Sequence, residues 1–139
     1  MIKRITIVCT SNKDRSPALV NYLKEVYPNY EYLSAGINKY FCSKKDTHLI
    51  TYGDILWSDL IVFAENIHLE VVTERFKATC YNGSILFNVK YFDINVPQIE
   101  KSVKYIILNC GDYTHGAVGD DYLTKSEFVL QDILKNDIN

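Results

Sequence analysis

Residues 4–27 read "RITIVCTSNKDRSPALVNYLKEVY", and this stretch decides the fold. The run "ITIVC" (5–9) is apolar almost throughout, as a strand is when a parallel sheet buries both of its faces. From Ser16 onward Ala18, Leu19, Tyr22, Leu23 and Val26 recur at helical spacing, and Pro17 is tolerated because it falls in a first turn. Five small or polar residues, Thr10 to Asp14, lie between. A strand, a short loop and a helix that begins at once form the first unit of a parallel α/β sheet.

The rest of the chain repeats that alternation. "YEYLSAG" (30–36), "DLIVFA" (59–64) and "VKYIILNCGD" (103–112) read as further strands, and "THLITYGDILW" (47–57), "ENIHLEVVTERF" (65–76) and "DDYLTKSEFVLQDILK" (120–135) as helices. Asp120 and Asp121 suit the start of the last helix, where the dipole favours negative charge. Residues 77–102 are different: a turn signal at Asn82-Gly83 is followed by a β-rich run to Ile94 and then Pro97. That stretch predicts an extra strand or hairpin inserted before the last core strand. The expectation is one domain over 1–139, a parallel four-stranded sheet flanked by helices, with an inserted β-rich segment at about 76–102.

Composition narrows the function classes. The 139 residues suffice for a buried core, and 47% hydrophobic with 23% charged residues is ordinary for a globular chain. A net charge of −2 gives no general reason to bind nucleic acid, so any anion site must be local. No apolar stretch is long enough to span a bilayer, and "ITIVC" is too short for a signal-peptide core. The sequence therefore predicts a cytoplasmic protein with no membrane contact. Cys9, Cys42, Cys80 and Cys110 show no CxxC pairing and are expected as thiols. His48, His68 and His115 share no metal-ligand spacing with them or with carboxylates, so neither a metal nor another cofactor is expected. His68 is read as structural, and the other two as exposed.

The strand–loop–helix junction is where chemistry concentrates. The C-terminal end of a parallel strand is the ligand edge of the sheet, and loop N–H groups together with a helix dipole form an anion cradle there. Cys9 opens this cradle and Arg15 closes it. N–H dipoles and a guanidinium favour a thiolate, the nucleophilic form. Arg15 is suited to grip two phosphate oxygens at once, Ser16 to donate to the thiolate, and Asn12 to hold a tight turn in left-handed backbone. Cysteines at strand ends are often only small hydrophobes. Against that, a C-x5-R-[ST] pattern arises by chance in roughly a few per cent of chains with four cysteines, and less often at the first strand–helix junction.

"CTSNKDRSP" resembles the phosphate loop of the low-molecular-weight protein tyrosine phosphatases, C-x-G-N-x-x-R-S-P. "SAG" (34–36) and "WSDLIVFAENIH" (57–68) resemble further segments of that family, and the resemblance covers most of the chain outside about 76–102. It implies the fold predicted above and hydrolysis of phosphomonoesters through a phosphocysteine intermediate. Cys9 is then the nucleophile and Arg15 the phosphate clamp. Thr10, Ser11, Asn12, Lys13, Asp14 and Ser16 surround the phosphate, Ser34 supports the loop, and Tyr40 flanks the substrate ring. The implied substrate is a phosphotyrosine-containing protein or a small phosphomonoester. Two departures stand out. Ser11 replaces the family glycine, and Asp14 replaces a second loop cysteine and sets a carboxylate beside a phosphate site.

Such chemistry needs a carboxylic acid to protonate the leaving oxygen and then activate water. The family carries it in a D-P-Y-like loop after the last core strand, which points to Asp112 with Tyr113 as a second ring neighbour. Asp93 in "YFDINVP" is the other candidate. Three readings compete with the tyrosine phosphatase. An arsenate reductase shares the loop but needs resolving cysteines, and only Cys80 lies near the expected region. A phosphoserine phosphatase resembling those of the RNA polymerase II C-terminal domain fits Ser11 better and "SAG" less well. An inactive phosphate-binding module is left open by Ser11 and Asp14.

Overall fold

The computed structural model describes residues 2–88, 100–109 and 120–136. Asp93, Cys110, Asp112, Tyr113 and His115 lie outside them. In chain order the elements are β1 (Arg4–Cys9), α1 (Arg15–Val26), β2 (Glu31–Gly36), α2 (Lys39–Lys45), α3 (Tyr52–Trp57) and β3 (Leu60–Phe63). They continue with α4 (Asn66–Arg75), β4 (Thr79–Tyr81), β5 (Ser84–Asn88), β6 (Glu100–Ile107) and α5 (Asp120–Asn136).

One sheet runs in the order β2-β1-β3-β6-β5-β4. Its first four strands are parallel, as the apolar runs predict. The sheet has six strands rather than four because residues 79–88 form a hairpin that joins β6 antiparallel, from Ser84 opposite Lys104 to Asn88 opposite Glu100. Asn82 and Gly83 make its turn with φ of 49° and 76°. Two consecutive left-handed residues match the twist of a two-residue hairpin, which is why Asn-Gly is favoured there. Ile85 and Phe87 on β5 are fully buried, while Leu86 between them is 40% exposed; the period of two buries one face of the hairpin only.

The two faces of the sheet hold separate cores. On one, Ile5, Ile7, Leu60 and Val62 pack with Leu19 and Leu23 of α1 and Leu130 and Leu134 of α5. On the other, Val8, Ile61, Phe63, Ile85, Phe87 and Val103 pack with Leu69 and Val72 of α4 and Ile55 of α3. Consecutive residues of β1 and β3 thus point to opposite cores, which explains why both strands are apolar at nearly every position. Among the described residues no helix is long and apolar enough to cross a membrane.

Two local expectations need correction. Residues 47–57 do not form one helix. Thr51 caps a shorter one, accepting from the Asp54 N–H at 3.1 Å while the Asp54 carboxylate accepts from the Thr51 N–H at 2.8 Å, and this reciprocal box fixes the start at Tyr52. The preceding residues are held extended by the end of β2: Gly36 donates to the His48 carbonyl at 2.9 Å and accepts from the Ile50 N–H at 2.8 Å. The second correction is α2, a helix the sequence reading did not contain. Asn38 caps it by accepting from the Phe41 N–H at 2.9 Å. Of its seven residues only Cys42 is buried, so it shows no apolar stripe.

Candidate active site

Three segments meet at the C-terminal edge of the parallel strands. Cys9 pairs in register with Gly36 of β2, and Val8 pairs with Phe63 of β3. The loop after β1 is therefore flanked by the start of α2 on one side and by Glu65 and α4 on the other. Backbone bonds tie it to the first: the Ile37 and Asn38 N–H groups both reach the Thr10 carbonyl at 3.0 Å. Among the described residues the N–H groups of Ser11, Asn12, Lys13 and Asp14 have no acceptor, which leaves four donors for an anion at the head of α1.

Asn12 gives the loop its shape. Its φ is 55°, the left-handed region that Asn tolerates better than most residues. Its amide donates to the carbonyls of Ser34, at 3.2 Å, and His48, at 3.4 Å, and its Oδ1 accepts from Ser16 Oγ at 2.9 Å. The bond to Ser34, the residue expected to support the loop, is to its backbone carbonyl, which any residue at that position would supply. Ser11 keeps an ordinary negative φ, so the position where the resembling family has glycine does not require one. Its carbonyl accepts from Thr47 Oγ1.

Cys9 is 2% exposed, with Sγ 3.0 Å from Ser16 Oγ. As a thiol it donates to Ser16, whose proton then goes to Asn12. As a thiolate it accepts, and the Ser16 proton turns toward sulfur. One hydroxyl thus serves both protonation states of the sulfur.

Arg15, 4% exposed, enters the site from the first turn of α1. Its Nη1 donates to Glu65 Oε2 at 2.7 Å and its Nη2 to Thr10 Oγ1 at 3.2 Å. Tyr122 of α5 donates to its carbonyl at 3.1 Å. A second contact completes a ring, because His68 Nε2 lies 3.0 Å from Thr10 Oγ1. The tautomer follows from the other ring nitrogen. Nδ1 accepts the Glu65 N–H at 3.0 Å, so the proton sits on Nε2 and is donated to Thr10. The Thr10 oxygen therefore accepts twice, from Arg15 and from His68, and its own proton has no acceptor among the described residues.

Cys9, Thr10, Ser11, Asp14, Arg15 and Lys45 line one cavity of about 40 Å³. A water-sized group needs roughly 10–15 Å³, so the space suits the terminal oxygens of one phosphoryl group. Of the expected site residues, five line it. Asn12 and Ser16 are buried without lining it, Lys13 is exposed and does not line it, and Tyr40 stands on α2 with 66% of its surface exposed. Asp112 and Tyr113 lie outside the described residues.

Sequence reasoning missed Glu65, Lys45 and the part played by His68. Glu65 had a signal, since it immediately follows the C-terminal end of a parallel strand, the ligand edge of the sheet. His68 was read as structural; it is fully buried and also bonded to the loop. Lys45 had none, because its place depends on a helix not foreseen.

No protein-family model and no curated protein matches the sequence. Solved structures do match in shape. The chain is similar to the tyrosine phosphatase Wzb from Escherichia coli K30, solved in complex with phosphate, with 16% identity, 98% of this chain and 99% of that one covered, and a TM-score of 0.61. For the YwlE arginine phosphatase from Geobacillus stearothermophilus the figures are 19%, 96%, 92% and 0.58. For a low molecular weight protein tyrosine phosphatase from Bacillus subtilis they are 19%, 95%, 92% and 0.51. The chain has the fold of the low-molecular-weight protein tyrosine phosphatases.

Proposed function

We propose that the protein is a phosphatase that hydrolyses phosphomonoesters, phosphotyrosine above all, through a phosphocysteine intermediate. The observation that carries this reading is the junction of β1 and α1: a buried Cys9 with Sγ 3.0 Å from the Ser16 hydroxyl, sharing a phosphate-sized cavity with Arg15. In the first step the Cys9 thiolate attacks phosphorus. The S–P bond forms, the ester P–O bond breaks, and the leaving oxygen takes a proton from a general acid, which we assign to Asp112. In the second step water attacks the phosphocysteine, gives its proton to that carboxylate, and the thiolate leaves. Arg15 and the loop N–H groups hold the phosphoryl oxygens through both steps, and Ser16 stabilises the departing thiolate.

The fold neighbours include both tyrosine and arginine phosphatases. Phosphoarginine would bring a guanidinium to a cavity lined by Lys45 as well as Asp14, and its like charge to Lys45 counts against it. A neutral aromatic leaving group meets no such opposition. Arsenate reduction finds little support, since Cys42 is buried against Gly36 and Cys80 sits on β4 at the far edge of the sheet.

The test is hydrolysis of para-nitrophenyl phosphate without added metal, comparing wild type with Cys9→Ser. Wild-type turnover falling by at least about 10³-fold in the variant is expected of a lost nucleophile. A Cys9→Ser protein that turns over as fast as wild type would overturn the mechanism.

A further inference from the structure

The cavity has one wall that the loop does not supply. Lys45 reaches it from α2, and the charges around the site suggest why. Arg15 already shares its charge with Glu65, and Asp14 adds a second carboxylate to the cavity wall. A phosphoryl dianion would enter against two carboxylates and a thiolate, and of the loop's two cations only Arg15 lines the cavity, Lys13 being exposed outside its lining. Lys45 is the second cation in the cavity lining, opposite in sign to Asp14.

The helix that carries Lys45 is fixed to the loop rather than laid near it. Thr47, just past its end, donates to the Ser11 carbonyl. The Cys42 sulfur packs on Gly36, so closely that a Cβ built on that glycine would lie 2.6 Å from it. The outward side of α2 combines aromatic rings with cations. Tyr40 and Phe41 are 66% and 41% exposed, with ring centroids 5.5 Å apart. Lys44 Nζ lies 5.9 Å from the first ring's centroid and Lys45 Nζ 5.7 Å from the second's. Each ring attracts the ammonium group near it, which favours these positions of the two charges on the exposed side of the helix. Among the described residues neither lysine has a carboxylate within ion-pair distance. A helix dipole favours cations in its last turn, but that does not account for Lys45 lining the phosphate cavity.

Building on the phosphatase reading, we propose that α2 is a recognition surface for acidic residues next to the phosphorylated side chain. Lys45 serves the phosphoryl group and its nearest acidic neighbour, and Lys44 reads the residue beyond. The preferred substrate is then a phosphotyrosine in an acidic segment of a protein. On a chain of net charge −2 this attraction is confined to the mouth of the site, so it selects among phosphoproteins without drawing in polyanions at large.

The experiment measures binding of fluorescent phosphotyrosine peptides to the Cys9→Ser protein, which does not consume them. Three peptides of one length carry glutamate, alanine or lysine on both sides of the phosphotyrosine, and an unphosphorylated peptide serves as control. An exposed charge pair is worth up to about fivefold. The glutamate peptide is therefore expected to bind roughly 3- to 10-fold tighter than the alanine peptide, with the lysine peptide weakest. The preference should shrink toward unity with added salt and in a Cys9→Ser protein also carrying Lys44→Gln and Lys45→Gln. Both lysines are exposed, and a thermal melt checks that the variant is folded. Equal affinity for the glutamate and alanine peptides, or a preference that survives the double lysine change, would overturn the inference. Hydrolysis of para-nitrophenyl phosphate by wild type, measured alongside, separates this failure from that of the phosphatase reading. Turnover without acidic preference refutes the role of α2 alone. No turnover, with phosphorylated and control peptides bound equally, refutes both.

Discussion

Gly36 and Gly83 stand at opposite edges of one sheet, and each is required for a different reason. Gly36 ends the edge strand β2 beside the candidate active site. A Cβ there would lie 2.6 Å from Cys42 Sγ and 2.9 Å from both the Asn12 nitrogen and the Ser11 carbonyl carbon. Gly83 lies in the β4–β5 turn at the other edge, where a Cβ would meet nothing within 4 Å, but its φ is +76°. The first is a glycine of space and the second a glycine of backbone conformation. Near the candidate active site, shape comes from parts distant in sequence pressing on one another; at the hairpin it comes from two adjacent residues.

The strongest way to break that contrast is Gly36→Ala. Two of its three close neighbours are backbone atoms of the β1–α1 loop, so the loop must shift to make room. A displacement near 1 Å at reacting groups costs about 10²-fold in rate, and overpacking of this kind costs about 1–3 kcal/mol of stability. Turnover of para-nitrophenyl phosphate should fall by about that factor, together with a lower Tm. A Gly36→Ala enzyme with full activity would mean that β2 and α2 do not hold the loop.

Next in size is Thr10. Thr10→Val is nearly isosteric but removes the acceptor shared by Arg15 Nη2 and His68 Nε2. The buried imidazole N–H then loses a partner, at about 1–3 kcal/mol, and the cavity loses the hydroxyl whose proton is free to meet a phosphoryl oxygen. KM should rise together with the loss in Tm. Thr10→Ser keeps the hydroxyl and should recover most of both. A serine variant as impaired as the valine one would show that the methyl group, not the hydrogen-bond ring, is what the site needs.

The same division between local and distant causes explains what was legible in the sequence. β1 and β3 could be read because burial on both faces leaves apolar runs, and the β1–α1 loop because a C-x5-R-S pattern stands out at a strand–helix junction. Asn12 was read correctly as a left-handed residue, since its side chain makes that conformation affordable. The Asn82-Gly83 turn was equally plain, but how its flanking strands attach was not, because joining β6 depends on partners some twenty residues away. α2 escaped notice because it buries a single cysteine. Thr51 and Asp54 marked the start of α3, yet the pull of Gly36 on residues 48–50 left no local trace. His68 and Glu65 were visible as residues but not as partners of Arg15 and Thr10, since that ring closes across about fifty positions of chain.

The smallest expected effect sharpens the comparison from the hairpin side. Gly83→Ala forces a residue with a Cβ into left-handed backbone, at about 1–2 kcal/mol, and nothing surrounds the added methyl to compound or relieve that cost. Thermal unfolding should shift down by a few degrees, while kcat and KM on para-nitrophenyl phosphate stay at wild-type values. The two glycine variants then separate completely: one loses activity together with stability, the other loses stability alone. If Gly83→Ala also slowed turnover, the hairpin would be coupled to the site. The route is identifiable, because β5 pairs with β6, β6 pairs with β3, and the chain leaving β3 carries Glu65 to Arg15. An unchanged rate would mean that a turn at one edge of the sheet relaxes without disturbing that chain of pairing, so that hairpin and phosphate loop share a fold but not a function.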